Sequence, residues 1–447
     1  MRSQWEAFDG VLHEARDRDC PAVGALLDHQ LMHIDSLAVA VLERPVAPDD
    51  GLLDLLTAEF MAAAPLATVC RDRLPDLQGS YSRVAAAIRV ASRSWNFAQA
   101  RNTDRLYVLL DGLRTARDQA ILLGPPADAS SVTVGPAPLN PSVPSGEWVG
   151  IPIQSGDLLL SRGTVASSAL TSRGNERPGV FSHVALLHID PNTATMTFVE
   201  AFPETGAVGH DVEFYRGDPK RRLLVLRPRS DLRAVEADPS FAHRAASGGL
   251  ALVSERTVEF DFALDTGERK AMFCSEIPLY AYGDLGLRLW DPPSVITSPG
   301  KVNWLYSLGG RHFKTQVPTD LELEPDLEVV AEWFDPAGLW TDLLDNVASD
   351  ALFELADAGE NLRAPAWLVP VAIGMKAWSW TLNRFGREGP LPRGAKPLQA
   401  LRFRDFAKRH AALVESLMAE TVTYEKRHGH RPFYPDLLAM ARRHLRG

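Results

Sequence analysis

The stretch KAMFCSEIPLY, residues 270–280, places a cysteine where an apolar run leads into a helix. Pro278 has no backbone N–H and is compatible with a helix only in its first turn, so a helix is expected to begin at Cys274 or Ser275. The positive end of a helix dipole favours a thiolate over a thiol. Whether Cys274 is a nucleophile or an inert core thiol therefore depends on the residues upstream.

Four short apolar runs of the kind found in β-strands lie upstream of this cysteine. Turn-forming clusters such as DPNT and RGDPK separate them, which predicts an antiparallel sheet. The runs are DLLLSRG (157–163), SHVALLHI (182–189), TMTFVEAF (195–202) and RLLVLRP (222–228).

The second and third runs carry a histidine and a glutamate. If they form a hairpin that turns near Pro191 and Asn192, His183 lies opposite Glu200, within one or two residues of register. Glu200 shares its strand face with apolar residues, where a carboxylate requires a partner. His183 is the nearest candidate, and a carboxylate can orient an imidazole.

The order of these signals resembles the circularly permuted papain-like hydrolases of the NlpC-type superfamily, which are related to the lecithin:retinol acyltransferase group. In such proteins the histidine strand precedes the cysteine helix. The resemblance covers roughly residues 149–286, about a third of the chain. Its motifs are GDLLL (156–160), FSHVALLH (181–188), FVEA (198–201), LVLRP (224–228), FDFALD (260–265) and FCSE (273–276).

The resemblance assigns roles to three residues. It implies that Cys274 is the nucleophile, His183 the base that takes and returns the proton, and Glu200 the group that orients the imidazole. Pro278 departs from the aliphatic residue expected at its position. Four further residues are expected near the site in substrate-binding or structural roles: Asp157, Ser182, Ser275 and Glu276.

The activity that the resemblance implies is cleavage of an amide, in a peptide that could derive from a cell wall, through a thioester. Two alternatives stay open. One is lipid acyl hydrolysis or transfer, and the other is a non-catalytic binding protein on the same fold. The expected partner is a peptide or a lipid acyl substrate.

The organisation along the chain predicts an α+β protein with a central antiparallel sheet and a cysteine-bearing helix. Residues 1–123 show helical periodicity and residues 124–147 are rich in Pro, Gly and Ser, which is typical of a linker. Residues 148–320 would form the permuted papain-like domain. The helical period returns in residues 321–447.

Composition and charge argue against several classes of binding partner and indicate a cellular compartment. The net charge of -10 and the lack of a basic stripe argue against a nucleic-acid partner. No phosphate-binding loop or zinc-ligand spacing is present, so neither a cofactor nor a metal is predicted. Three cysteines, odd in number and far apart, suggest reduced thiols, and acids and bases near the N-terminus argue against an export signal, which predicts a cytoplasmic location.

The most apolar segment, APAWLVPVAIGMKAWSW (364–380), contains Pro365, Pro370 and Lys376. Its uncharged run is too short to cross a bilayer, so no membrane span is expected. The segment is predicted to form a buried helix or a hairpin of helices. The alternative is an acyl-chain groove or a contact with a membrane surface.

Overall fold

The computed structural model describes residues 2–125, 129–290, 293–385 and 389–446. Its centre is a seven-stranded sheet in which all neighbouring strands run antiparallel, in the order β1-β13-β8-β4-β5-β6-β7. The strands are β1 (Val132–Val134), β4 (Leu158–Gly163), β5 (His183–Ile189), β6 (Met196–Phe202), β7 (Gly206–His210), β8 (Lys220–Pro228) and β13 (Leu327–Phe334).

Three two-stranded ribbons accompany the sheet. Two are antiparallel, β2 (Ser145–Trp148) with β3 (Ile151–Gln154) and β11 (Ser294–Val295) with β12 (Lys314–Thr315). The third, β9 (Glu259–Phe260) with β10 (Ala271–Met272), is parallel and leads directly to Cys274.

Helices precede, follow and interrupt the sheet. Before it come α1 (Arg2–Arg16), α2 (Cys20–Leu42), α3 (Gly51–Val69), α4 (Leu74–Ser92) and α5 (Ala100–Leu122). Between the strands lie α6 (Ala166–Arg173), α7 (Val212–Gly217), α8 (Arg233–Ala237), α9 (Phe241–Ser254), α10 (Glu276–Gly283), α11 (Pro299–Leu308) and α12 (Pro318–Leu321). The last four are α13 (Leu339–Asp357), α14 (Val369–Arg384), α15 (Pro397–His428) and α16 (Tyr434–Arg446).

The prediction of mixed helix and sheet with a large antiparallel sheet is confirmed. All four predicted runs form strands of that sheet. They are nearly continuous in apolar residues because both sheet faces are covered. Leu158 and Leu160 belong to the core beneath α9 and α10, whereas Leu159 belongs to the core on the opposite face.

Two strands of the seven-stranded sheet lie outside residues 148–320, the region predicted to contain the sheet. β13 is in the region expected to be helical, and β1 is within the expected linker. β1 pairs with β13, and β13 pairs with β8. Because these partners are distant in sequence, local periodicity did not reveal them. The division into domains itself stays a prediction.

A chain of buried ion pairs joins the N-terminal helices to the sheet and to α13. We call it the arginine chain, and its side chains are at most 11% exposed. Asp342 accepts from Arg162 at 3.0 Å and from Arg222 at 2.6 Å. The order of the members is Arg162, Asp342, Arg222, Asp118, Arg117 and Glu332.

The expectation of three reduced cysteines is wrong for two of them. Cys20 and Cys70 form a disulfide, 50 residues apart in sequence. It connects the first residue of α2 to the residue that follows α3. The hairpin of these two helices brings the cysteines together, which their sequence separation did not indicate. Cys274 is the free cysteine.

The apolar segment 364–380 is not buried, contrary to the first expectation. Most of it forms α14, in which only Ala372 and Ser379 are buried. Trp378 and Trp380 are 57% and 63% exposed. Among the described helices, one is long and apolar enough to cross a membrane, α3, and 56% of its apolar window is buried in the protein.

Candidate functional site

A tight turn presents Cys274 just before α10. The Glu276 N–H donates to the Phe273 carbonyl at 3.1 Å, and the Phe273 N–H donates to Oε2 of Glu276 at 2.8 Å. These bonds do not use the Cys274 N–H. The helix begins at Glu276, one to two residues later than predicted. Pro278 is its third residue. The backbone N–H groups of the first turn have no intrahelical acceptor, so a proline there removes no hydrogen bond and the helix tolerates it.

Cys274 belongs to the core on the α10 side of the sheet, and only 6% of its surface is exposed. It lies two residues before the first residue of α10, so the amino end of the helix dipole is close to the sulfur. Cys274 thus precedes the helix and does not form part of its first turn, as the prediction of a start at Cys274 or Ser275 had implied.

His183 and Glu200 are in direct contact. Nε2 of His183 lies 2.8 Å from Oε2 of Glu200, which is fully buried. The register differs from the simplest expectation because the loop around Asp190 is longer than a two-residue turn. The pairing of Leu186 with Val199 shifts Glu200 by two residues relative to His183. A two-residue shift keeps both side chains on one face, so they still meet diagonally.

His183 connects this carboxylate to the cysteine. Burial lowers the pKa of His183, but hydrogen bonding to Cys274 and to Glu200 outweighs burial and raises the pKa to about 10. Nε2 faces Glu200, which leaves Nδ1 for the sulfur. The arrangement favours an imidazolium between two acidic groups.

A second histidine completes the surroundings of Glu200, and the sequence reasoning missed it. Nδ1 of His210, on β7, lies 2.9 Å from Oε1 of Glu200. Burial raises the pKa of Glu200, but hydrogen bonds from His183 and His210 lower it, with a net decrease. β7 reads GAVGH and lacks an apolar alternation, so only its position after a turn could have indicated a strand.

Three aromatic contacts form one wall around the two imidazoles. The ring of His183 stacks on Phe202 with centroids 4.7 Å apart, and His210 stacks on Phe214 at 3.6 Å. Phe202 and Phe214 meet edge to face. Phe214 is 46% exposed, so this wall reaches the surface beside the site.

Glu276, predicted to lie near the site, is fully buried on the turn that carries Cys274. Burial raises its pKa to about 9, although the hydrogen bond from Phe273 opposes that shift. The carboxyl group is therefore neutral near pH 7. A neutral neighbour does not repel a thiolate, whereas an ionised carboxylate two residues away would.

The other three predicted neighbours have structural contacts. Asp157 is buried and pairs with Arg227 at 2.7 Å. The Ser182 hydroxyl donates to the Ser161 carbonyl at 3.3 Å, between β4 and β5. Ser275 is the residue before α10, and its buried hydroxyl has no hydrogen-bond partner among the described residues.

The structure thus brings Cys274, His183 and Glu200 together and adds His210 behind them. A cavity of about 600 Å³ lies elsewhere, where α2 and α4 meet β1 and β13, and it does not include these residues. Comparisons with protein-family models, with curated proteins and with solved structures find no match.

Proposed function

We propose that this protein is a cysteine-dependent hydrolase that cleaves an amide through a thioester. The observation that carries the proposal is the continuous contact from Cys274 through His183 to Glu200. A thiol, an imidazole and an orienting carboxylate in this order are what nucleophilic acyl transfer requires. The class of substrate, a peptide, comes from the family resemblance alone.

In the proposed reaction, His183 takes the proton of Cys274, and the thiolate attacks the carbonyl carbon. The tetrahedral intermediate collapses when the C–N bond breaks, and the imidazolium gives its proton to the leaving amine. The product is a thioester on Cys274. His183 then removes a proton from water, the hydroxide attacks the thioester, and the acid and the thiol are released.

Two features of the described residues support this scheme. The Cys274 N–H is not used by the turn's own hydrogen bonds and can donate to the developing oxyanion. Glu200 fixes the His183 ring and stabilises the imidazolium, while His210 holds the second carboxylate oxygen. His210 thus acts as a positioning residue behind Glu200.

The test is the rate of alkylation by iodoacetamide against pH, without reductant. Because Cys20 and Cys70 are joined, the label reports Cys274. Wild type should react rapidly at neutral pH, and His183→Ala should lose that reactivity. His188→Ala is the matched control because His188 is on the same strand, faces His243 and should leave the rate unchanged.

An inert thiol in both the wild type and His183→Ala would overturn the proposal and favour the non-catalytic binding protein. Equal loss in His183→Ala and His188→Ala would also count against it, because it would indicate general disruption of β5 rather than a specific ion pair.

Lipid acyl hydrolysis or transfer is the second candidate. The observation that favours it is the exposed apolar surface of α14. Faster turnover of a long-chain acyl ester than of a peptide amide, both dependent on Cys274, would decide for this candidate.

A further inference from the structure

The surface of α14 and its flanks is unusually apolar for a region in contact with water. Three tryptophans are exposed, Trp367 by 75%, Trp378 by 57% and Trp380 by 63%. Trp378 and Trp380 are two positions apart and lie on different sides of the helix, so exposed apolar side chains surround the outer part of α14 and do not form a single stripe. Exposed apolar surface of this extent marks an interaction site. The other large exposed side chains of this surface, which we call the tryptophan face, are Val371, Ile373, Met375 and Phe385.

The segment that carries the tryptophan face has a net charge opposite in sign to that of the whole protein. Residues 361–396 contain six basic residues and one acidic residue, a net charge of +5, in a chain of net charge -10. The one acid is Glu388. Four of the basic side chains are exposed: Arg363, Arg384, Arg393 and Lys396.

The helix that carries this face is held firmly on its other side. Ala372 and Ser379 are buried, and α14 packs on α15. The Lys376 ammonium group donates to the Pro392 carbonyl at 2.8 Å, which fixes the returning chain against the helix. The tryptophan face is therefore preformed, and binding through it requires no folding of α14.

We propose that the tryptophan face docks on the surface of a bilayer that contains anionic lipids. Tryptophan rings partition into the zone between headgroups and acyl chains, and basic side chains beside them attract anionic headgroups. α14 has 16 residues and includes Lys376, so it lies on the membrane and does not span it.

Charge also argues against a second copy of this chain as the occupant. In a two-fold contact the same surface meets itself, so the net charge of +5 on residues 361–396 would face an identical positive charge. An anionic surface removes this repulsion. It also matches the absence of carboxylates among the described residues of 361–385 and 389–396.

The segment that carries the tryptophan face lies beside the ribbon that leads to Cys274. Gly394 lies against the ring of Phe262, and Lys376 interacts with the charge of Glu259 on β9. β9 pairs with β10, which leads to Cys274. The docking proposal itself is independent of the proposed catalysis, because it depends only on the tryptophan face and its charge.

The test is co-sedimentation of the full chain with vesicles of phosphatidylglycerol and phosphatidylcholine, and with vesicles of phosphatidylcholine alone. Wild type should bind the anionic vesicles, and less at high salt. Trp378→Glu should bind them at least about tenfold more weakly. Met32→Glu is the matched control, since Met32 is 63% exposed on α2, and it should bind like the wild type.

Three results would overturn the proposal. They are no binding to anionic vesicles, equal binding by wild type and Trp378→Glu, and light scattering that shows a dimer lost in Trp378→Glu without vesicle binding. Equal binding to neutral and anionic vesicles would also overturn it, because the proposal commits to anionic lipids. Arg393→Glu, which keeps the tryptophans, should separately weaken binding to anionic vesicles alone.

Discussion

Two regions of this molecule contain networks of buried charge, and the two are built from different residues. In the arginine chain, guanidinium groups alternate with carboxylates between the N-terminal helices and the sheet. In the second region, which we call the cysteine site, Glu200 lies between His183 and His210, and His183 reaches Cys274.

The two regions differ in whether their charged groups can gain and lose protons near neutral pH. Arginine does not lose its proton in proteins, so the arginine chain keeps a fixed pattern of charge. Thiol and imidazole groups exchange protons near neutral pH. Fixed charge suits a structural junction, whereas exchangeable charge suits acid–base chemistry. The comparison predicts that variants in one region will change stability and variants in the other will change reactivity.

The largest effect on stability should come from Asp342→Asn. This variant leaves Arg162 and Arg222 buried without their shared carboxylate, and we expect a loss of about 3–5 kcal/mol in the free energy of unfolding. Urea denaturation measures it. The matched control is Asp54→Asn, whose carboxylate pairs with Arg105 at the surface and should cost under about 1 kcal/mol.

Cleavage of the disulfide should also lower stability without changing the cysteine site. Closure of a 50-residue loop in the unfolded chain corresponds to about 2–4 kcal/mol. Cys20→Ser with Cys70→Ser, compared with wild type in urea, measures it. Alkylation of Cys274 should stay at the wild-type rate, and a slower rate would show that the two regions are coupled.

Glu200→Gln should change the reactivity of Cys274, which the two preceding variants leave unchanged. The amide keeps the shape of the carboxylate but removes the charge that stabilises imidazolium at His183. We expect alkylation of Cys274 at neutral pH to slow by about tenfold or more. Glu213→Gln, an exposed glutamate on α7, is the control. An unchanged rate in Glu200→Gln would mean that Glu200 holds the fold and not the ion pair.

The smallest effect should appear in the pH dependence of stability. Because the folded pKa of His183 is raised from 6.5 to about 10, its contribution is complete below about pH 6.5 and is lost as pH rises through about 10. The advantage of wild type over His183→Gln in the free energy of unfolding, measured by urea denaturation, should therefore shrink as the pH rises through that window.

The arginine chain should behave differently in the same titration. Burial raises the pKa of Asp342, but Arg222 and Arg162 outweigh burial and give a net decrease. Burial also raises the pKa of Glu332, but Arg117 and Arg114 outweigh it and lower that pKa to about 2. Depressed carboxyl pKa values stabilise the fold above the ordinary pKa and fail only as pH falls. The difference between wild type and Asp342→Asn should thus stay constant from about pH 6.5 to about pH 10.

The strands around the cysteine site could be predicted because their signals are local. Short apolar runs bounded by turn residues specify strands, and Pro278 restricts where α10 can begin. The contact of His183 with Glu200 survived a two-residue error in register because side chains alternate with a period of two. A one-residue error would have placed them on opposite faces.

Other features depend on contacts between distant residues, which a single sequence does not reveal. β13 contains Glu332, whose inward orientation makes sense only with Arg117 beside it. His210 lies on a glycine-containing strand that exists because β6 pairs with it. The exposure of α14 was not predicted, because an apolar composition indicates that a segment prefers a nonpolar environment. The composition does not indicate whether that environment is the core of the same protein or a separate partner.

The position of β13, about a hundred residues after its partner β8 in the sequence, has a consequence for folding during synthesis. On the ribosome, β8 is complete at Pro228, but its partner on one side begins only at Leu327. Until then the edge of β8 offers unpaired N–H and C=O groups to other nascent chains. Because β13 pairs with β8 only after most of the chain has been made, we expect the nascent chain to depend on chaperones during this interval. We also expect any fragment that ends before Leu327 to be insoluble.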